Sequence, residues 1–383
     1  MVEVLMITKF FYPSIGGTEK YVFEISSRLA KEGHSVRIVA PQVSVGMRAN
    51  SNTECMDGVF IHRFQIYRYK NWGFSPGMLS FIRKTPFDIA HFHTFSVLCR
   101  FLRFSLKNKP YFITTHGYDI AENVEKVGYR ISARVQKDNF RSSNGVFCVS
   151  MKDREKVLRL IGDDEDPNKN IFYLPVGVDL KKFSTLNKVN LKKKYKLDNK
   201  LVISEIAQFR HRKGQHIFVA AIKKIINRIP EDCVFILAGY VSDRSYFSAV
   251  QRRVKELSLE KNVMILPNAS DEEILEIYGL TDIFVLPTKA EGLPLTLLEA
   301  WASKTSVIIS AVGGIPYVVN NYRDVILVSP NYRDLSDKII LLINDKNLRK
   351  HLASNGYEQV KHKFSWERII KILLEKYESA LKA

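Results

Sequence analysis

IFVLPTKAEGLPLTLLEA, residues 283–300, reads as one strand, one loop and the start of one helix. Ile283–Leu286 is apolar at every position, as a strand covered on both faces requires. Pro287, Gly292 and Pro294 then break the pattern. Pro294 suits the first turn of a helix, where a missing N–H costs nothing. The N–H groups of Leu295, Thr296 and Leu297 would point outward at the positive end of the helix dipole. A terminus of this kind binds anions and suits a diphosphate. Glu291 precedes the helix and Glu299 lies inside it. Carboxylates repel phosphate, so their natural partners are hydroxyls; a sugar ring and a ribose, one on either side of a diphosphate, supply them. Taken singly, Glu291 also reads as a solvated loop residue, and Glu299 as an acid favoured near a helix N-terminus.

The same alternation extends outward through the chain. Apolar strand segments fall at Glu3–Thr8, Ser35–Ala40, Val59–Gln65, Ile89–His93, Tyr111–Thr115, Val146–Ser150 and Ile171–Leu174. They resume at Leu201–Gln208, Cys233–Ala238, Val263–Leu266, Ile283–Leu286, Ser306–Ser310 and Val325–Val328. Helical segments such as Thr18–Glu32 and Gly214–Arg228 lie between them. Strand–helix alternation gives an α/β protein with doubly wound, Rossmann-like sheets. The pattern restarts near residue 200, after the polar stretch KKFSTLNKVNLKKKYKLDNK, residues 181–200. Residues 1–185 and 186–363 are therefore expected as two domains, with 364–383 as a terminal helix. Sheets of this kind bind ligands outside the carboxyl ends of their strands. Two facing domains make a cleft the expected site.

Three other segments sit at strand ends. QFRHRKG, residues 208–214, crowds Arg210, Arg212 and Lys213 into one loop after the strand that opens the second domain. Cations there can neutralise a departing diphosphate; a solvated charge run is the bland alternative. KFFYPSIGGT, residues 9–18, leads from the first strand through Gly16 and Gly17 to a helix with Thr18 as its expected N-cap. Glycines let a backbone approach a ligand closely, although turns use them everywhere. His116 closes the strand of YFITTHGYD, with Asp119 three residues on. It reads either as a hydrogen-bonding group for substrate or as a satisfied structural histidine. His91 and His93 lie inside a strand and read as structural. Gly313 and Gly314 either shape the site wall or turn the chain.

The chain's 383 residues suit two domains. Four cysteines (Cys55, Cys99, Cys148, Cys233) lack metal-binding spacing, each lies in or beside an apolar run, and they read as buried free thiols of a reducing compartment. The N-terminus reads as a strand and not as a signal peptide. No apolar run approaches the ~20 residues that span a bilayer. A cytoplasmic protein, peripheral at the membrane face, is expected. Net charge is +18, and residues 61–110 hold nine Lys or Arg against one acid, Asp88. VLCRFLRFSLK, residues 97–107, places Val97, Leu98, Phe101 and Leu102 opposite Arg100, Arg103 and Lys107 at helical spacing. This pattern favours an anionic membrane surface over nucleic acid, with a helix packed on its own domain as the alternative.

Taken together, the motifs resemble the GT4-type retaining glycosyltransferases, whose GT-B fold sets two Rossmann-like domains across a cleft. YPSIGGTEKYVFEISSRLAKEGHSV, residues 12–36, is similar to that family's glycine loop and first helix. EGLPLTLLEAWASKTSVIISAVGGIPYVV, residues 291–319, resembles its donor motif of two glutamates separated by seven residues. FSWERIIKILLEKY, residues 364–377, resembles its terminal helix that crosses back to the first domain. The resemblance implies a sugar transferred from a UDP-, GDP- or ADP-linked donor, without metal or further cofactor. It implies that Glu299 binds the donor ribose, Glu291 the transferred sugar and Lys213 the diphosphate. His116 would contact the sugar near the reacting carbon, and Gly16 and Gly17 would lie near the diphosphate or acceptor. His116, Lys213 and Glu291 are thus the expected catalytic residues. Gln208, Arg210, Gly292, Leu295, Thr296 and Leu297 complete the expected donor contacts. The acceptor expected from the charge pattern is a glycan, lipid-linked or near a membrane. Three departures stand out: Gln208 where the family usually has Arg, Leu293-Pro294 in place of Phe-Gly, and Val176 in place of Asn. Gln208 keeps a rival reading open, an inactive or binding-only partner subunit. A sugar-nucleotide epimerase or a phosphorylase of the same fold is the other rival.

Overall fold

The computed structural model describes residues 1–382 apart from 15, 45, 70–71, 94–101, 104, 107, 117–119, 121–126 and 163–169. The chain forms two compact units: Met1–Val176 with Ile369–Ala383, and Gly177–Arg368. The short helix Leu180–Ser184 belongs to the second unit, where Phe183 meets Tyr278 edge-on and the helix packs on Leu295–Ala302. Residues 177–185 therefore go with the second unit, although the sequence pattern places them in the first. The terminal helix Trp366–Lys382 begins in the second unit and counts with the first from Ile369 on.

The first unit holds one sheet in the order Ile171–Tyr173, Gly145–Cys148, Tyr111–Thr115, Ile89–His93, Glu3–Thr8, Ser35–Pro41, Val59–Phe64, Thr53–Met56. Every neighbouring pair is parallel except the last, which is antiparallel. The chain winds one way from Glu3–Thr8 and then the other way from Ile89–His93, so the strand order reverses between those two. Alternation along the strands splits the core. Leu5, Ile7, Ala90, Phe92 and Ile113 pack on one face. On the other face, His91 and His93 stack at 4.3 Å, and Tyr21 and Tyr377 close over them. The helix Gly17–Lys31 takes Gly16 as its N-cap without a side-chain bond, so Thr18 is inside the helix and is not its cap.

The second unit repeats the plan with the order Val263–Pro267, Cys233–Gly239, Leu201–Ile206, Ile283–Leu286, Ser306–Ser310, Ile326–Val328, all parallel. Here the order reverses between Leu201–Ile206 and Ile283–Leu286. Val202 and Ile206 enter one buried cluster and Ile203 the other, which is why these strands are apolar on both faces. The helix Asp271–Leu280 opens with a complete capping box, Ser270 with Glu273, a device worth about 0.5–2 kcal/mol.

Two surface expectations change. Cys55 is exposed, because it lies on the outermost strand Thr53–Met56, where alternate side chains face solvent; Cys148 and Cys233 are buried. Of residues 97–107, most lie outside the described part. Leu102 and Leu106 are buried in the first unit's own core. Arg103 reaches Asn139 Oδ1 at 2.9 Å and Ser142 Oγ at 2.6 Å. Leu102 and Leu106 thus face inward, and the partly exposed Arg103 is engaged with its own unit. Among the described residues, no helix is long and apolar enough to cross a membrane.

Candidate active site

The site of the second unit lies at its strand-order reversal, where the loops after Leu201–Ile206 and Ile283–Leu286 leave the sheet side by side. Ligands of doubly wound sheets bind at this position. Two glycines set how closely the loops approach. Gly214 has φ +95°, and a Cβ there would lie 2.2 Å from the Pro287 carbonyl oxygen. Gly313 has φ +61°, and its Cβ would lie 1.7 Å from the Glu291 carbonyl oxygen. Any side chain at either position meets both a left-handed backbone and a backbone clash. Gly313 is thus part of the wall that holds Glu291; the Gly314 N–H also donates to the Glu291 carbonyl at 3.2 Å.

Within this frame Lys213 and Glu291, 78 positions apart, form an ion pair with Nζ 2.5 Å from Oε1. Their side chains are 12% and 8% exposed, which makes the pair largely desolvated. Thr288 Oγ1 donates to the same Glu291 oxygen at 3.1 Å, and Arg212 Nη1 lies 3.5 Å from it. Arg212 also donates to the Ala290 carbonyl at 2.9 Å. The helix Leu295–Ala302 starts beside this group. Pro294 is its N-cap and lies just outside the helix. The Leu297 N–H is taken by the Pro294 carbonyl at 3.1 Å, which removes it from the expected donor set. Among the described residues the Leu295 and Thr296 N–H groups have no protein acceptor, and Thr296 Oγ1 is buried without a partner. Further along the helix, Tyr278 Oη donates to Glu299 Oε2 at 2.8 Å. Burial, and then the Glu299 charge, push the Tyr278 hydroxyl well up, so it stays a donor.

The loop residues divide. Arg210 is exposed and is not a partner of Glu291; Arg212, two positions on, is. Gln208 is half-buried, and its backbone carbonyl accepts from Gln215 Nε2 at 3.0 Å. Gly292 is exposed, with open space around its Cβ position. Thr288, Tyr278 and Glu205 were not singled out from the sequence. Glu205 is an acid within the apolar strand LVISEI, a visible signal. It is 1% exposed, neither carboxylate oxygen has a partner among the described residues, and burial pushes its carboxyl well up against the opposing pull of Lys213.

Gly16, Gly17 and His116 belong to the first unit. A Cβ on Gly16 would meet Glu19 Oε2 at 2.6 Å, whereas Gly17 faces open space. Glu19 is buried and held by Ser14 Oγ at 2.8 Å, so Gly16 serves that packing. His116 follows the strand Tyr111–Thr115, edge-on to Tyr21 at 5.3 Å. Burial lowers its pKa to about 3, leaving a neutral imidazole. His91 is satisfied, with Nδ1 against Tyr377 Oη at 2.5 Å and Nε2 against Thr114 Oγ1 at 2.7 Å. Asp119 lies outside the described residues. Among the described residues, no three His, Cys, Asp or Glu side chains are grouped to hold a metal ion.

Comparison with known proteins follows the same division. The family of glycosyl transferases group 1 matches residues 187–359, and Glycosyltransferase Family 4 matches residues 15–182. N-acetyl-alpha-D-glucosaminyl L-malate synthase of Bacillus anthracis is 24% identical, covering 94% of this chain and 93% of its own. A GDP-mannose-dependent alpha-(1-6)-phosphatidylinositol monomannoside mannosyltransferase of Mycobacterium tuberculosis is 23% identical, covering 96% of each. The crystal structure of Anabaena Alr3699/HepE in complex with UDP superposes with a TM-score of 0.78 at 16% identity, covering 98% of this chain and 100% of that one. The chain belongs to the group 1 glycosyltransferases of the GT4 type, with the two Rossmann-like domains of the GT-B fold.

Proposed function

We propose that the chain transfers a sugar, with retention of configuration and without a metal, from a nucleoside-diphosphate sugar to an acceptor hydroxyl. The observation that carries this reading is the Lys213–Glu291 pair beside the head of the helix Leu295–Ala302. A diphosphate brings negative charge to a place that already has an ammonium, a guanidinium and two outward N–H groups. Lys213 then turns from Glu291 to the phosphate, and the Glu291 carboxylate becomes an acceptor for sugar hydroxyls. Glu299, oriented by Tyr278, takes the ribose. The bond from the sugar carbon to the diphosphate oxygen breaks while the acceptor oxygen bonds the same carbon from the same face. The acceptor's proton leaves with the diphosphate. Preorganised cations that meet the developing charge supply the stabilisation.

The donor class is supported by the UDP complex of the Anabaena neighbour and by the GDP-mannose dependence named for the mycobacterial relative. The phosphatidylinositol monomannoside named for the same relative supports a lipid-linked acceptor. A second reading, a binding-only partner subunit, is favoured by Gln208, an amide where the family pattern carries a cation. The test is sugar release from UDP-, GDP- and ADP-sugars by the purified chain. Turnover of one donor supports the transferase; nucleotide binding with no turnover of any donor and any acceptor supports the partner subunit.

A further inference from the structure

Glu205 has no part in the donor chemistry above, yet it lies near the carboxyl end of the strand whose loop carries Lys213. It stands in LVISEI, residues 201–206, in register with Leu237 of the neighbouring strand Cys233–Gly239. Leu237 and Ile203, two positions before Glu205, enter the same buried cluster. Glu205 therefore points to the face that the helices Gln215–Ile225 and Arg244–Glu256 cover. It is buried, and neither carboxylate oxygen has a partner among the described residues. Leaving a buried polar group unpaired is costly, and a leucine in its place would avoid that cost. Packing does not account for the carboxyl.

The titratable groups around it come from the loop and from both covering helices. Lys213, on the turn His211–Lys213, draws the carboxyl toward its charged form, against burial, which pushes it well up. Tyr246, on Arg244–Glu256, carries its hydroxyl to the head of Gln215–Ile225. There the His216 N–H donates to Tyr246 Oη at 3.1 Å, and His216 Nδ1 lies 2.8 Å from it. Burial, with a smaller push from Glu205, raises the Tyr246 hydroxyl, which stays protonated. His216 is half-buried and lowered to about 4, chiefly by burial, and so is neutral. Among the described residues the cation acting on Glu205 is Lys213, which is already ion-paired with Glu291. One ammonium thus serves two carboxyl groups, Glu291 on the loop and Glu205 in the sheet.

We propose that Glu205 is a positioning residue for Lys213, a role that rests on the donor reading of Lys213 and adds a group which that reading leaves idle. As the neutral acid it leaves the ammonium free to turn to the diphosphate. As the carboxylate it holds the ammonium at the sheet. The donor then binds the protonated form. Affinity falls as pH rises through the ionisation of Glu205, and nucleotide binding at alkaline pH takes up a proton from solvent.

The test is UDP binding by calorimetry, from about pH 6 to about pH 9, by the parent chain, Glu205→Gln and Glu205→Met. The parent is expected to lose roughly tenfold or more in affinity across this range, since one linked proton changes affinity by up to about tenfold per pH unit. Both variants should lose most of that fall, because the ionisation of UDP itself is common to all three. In buffers of different ionisation enthalpy, the parent should take up protons on binding at the alkaline end and the variants should not. Where one variant fails to fold, the other carries the comparison. A parent profile that the variants reproduce overturns the role. So does an equal drop in affinity at every pH, which marks a purely structural side chain. Absence of UDP binding by the parent at every pH counts against the donor reading itself and removes the ground for the Glu205 role.

Discussion

In the first unit, burial keeps His91, His93 and His116 neutral by lowering their pKa values; in the second, it keeps Glu205 neutral by raising one. These groups sit at or near the carboxyl ends of strands in sheets of the same winding. Lys213 and Glu291 are also largely desolvated, but they face each other as a close ion pair. One topology thus hosts a neutral polar layer in one unit and a compensated ionic site in the other. The difference is made by side-chain pairing, since the sheets themselves contribute little net dipole.

The largest effect is expected at the ionic site. Lys213→Ala removes the cation that meets the diphosphate and should lower transfer about 10²–10³-fold, measured as kcat/KM on the accepted donor. The Arg212 and Thr288 contacts to Glu291 remain, so circular dichroism should be unchanged. The next effect belongs to the histidine layer. Its folded pKa values lie below the unfolded value, so the unfolded chain binds more protons as pH falls, and stability rises with pH between about 3 and 6.5. Going from pH 7 to pH 5 should cost about 2 kcal/mol for His91 and as much for His116, read from urea unfolding. A His91→Gln variant should show a shallower pH slope; an unchanged slope would break the contrast between the units.

Glu205 has the opposite sign. Its folded pKa lies above the unfolded one, so it favours folding at low pH and costs stability as pH rises past about 4.5. Glu205→Met should therefore raise stability near pH 8 by about 1–3 kcal/mol, the cost of a buried polar group without a hydrogen bond, with less gain at pH 4. A loss at both values would mean that the carboxyl is satisfied in solution. The smallest effect is Arg210→Ala. The side chain is exposed and outside the Glu291 network, so UDP affinity, measured by calorimetry, should change by less than about 1 kcal/mol.

Much of this was legible from residues 283–300 outward. The sheet strands that predominate are short apolar runs, and such runs form parallel strands only when both faces are covered, so the two doubly wound sheets follow from pattern alone. The strand Thr53–Met56 and the paired strands Val43–Ser44 and Met47–Arg48 leave no signal in the sequence, because they are short, carry no apolar run and are partly wet. At the site, Glu291, Glu299 and Lys213 were recognisable as residue types at strand ends. That Arg212 joins Glu291 while Arg210 does not was hidden, because a loop has no fixed period from which to aim a side chain.

The sequence by itself determined the α/β class, the two units, the strands that build them and the acidic and basic segments of the donor site. Only the tertiary structure decided which groups pair. Residues 78 positions apart meet because two strands adjacent at the order reversal release their loops side by side, with Gly214 and Gly313 permitting contact. It also decided that Pro294 takes the Leu297 N–H, that Cys55 faces solvent, and that Glu205 is buried within the field of Lys213. The physical reason is the same in each case. Apolar periodicity is local and survives in a linear string, whereas electrostatic partnership depends on distances of a few ångströms between segments that only folding brings together.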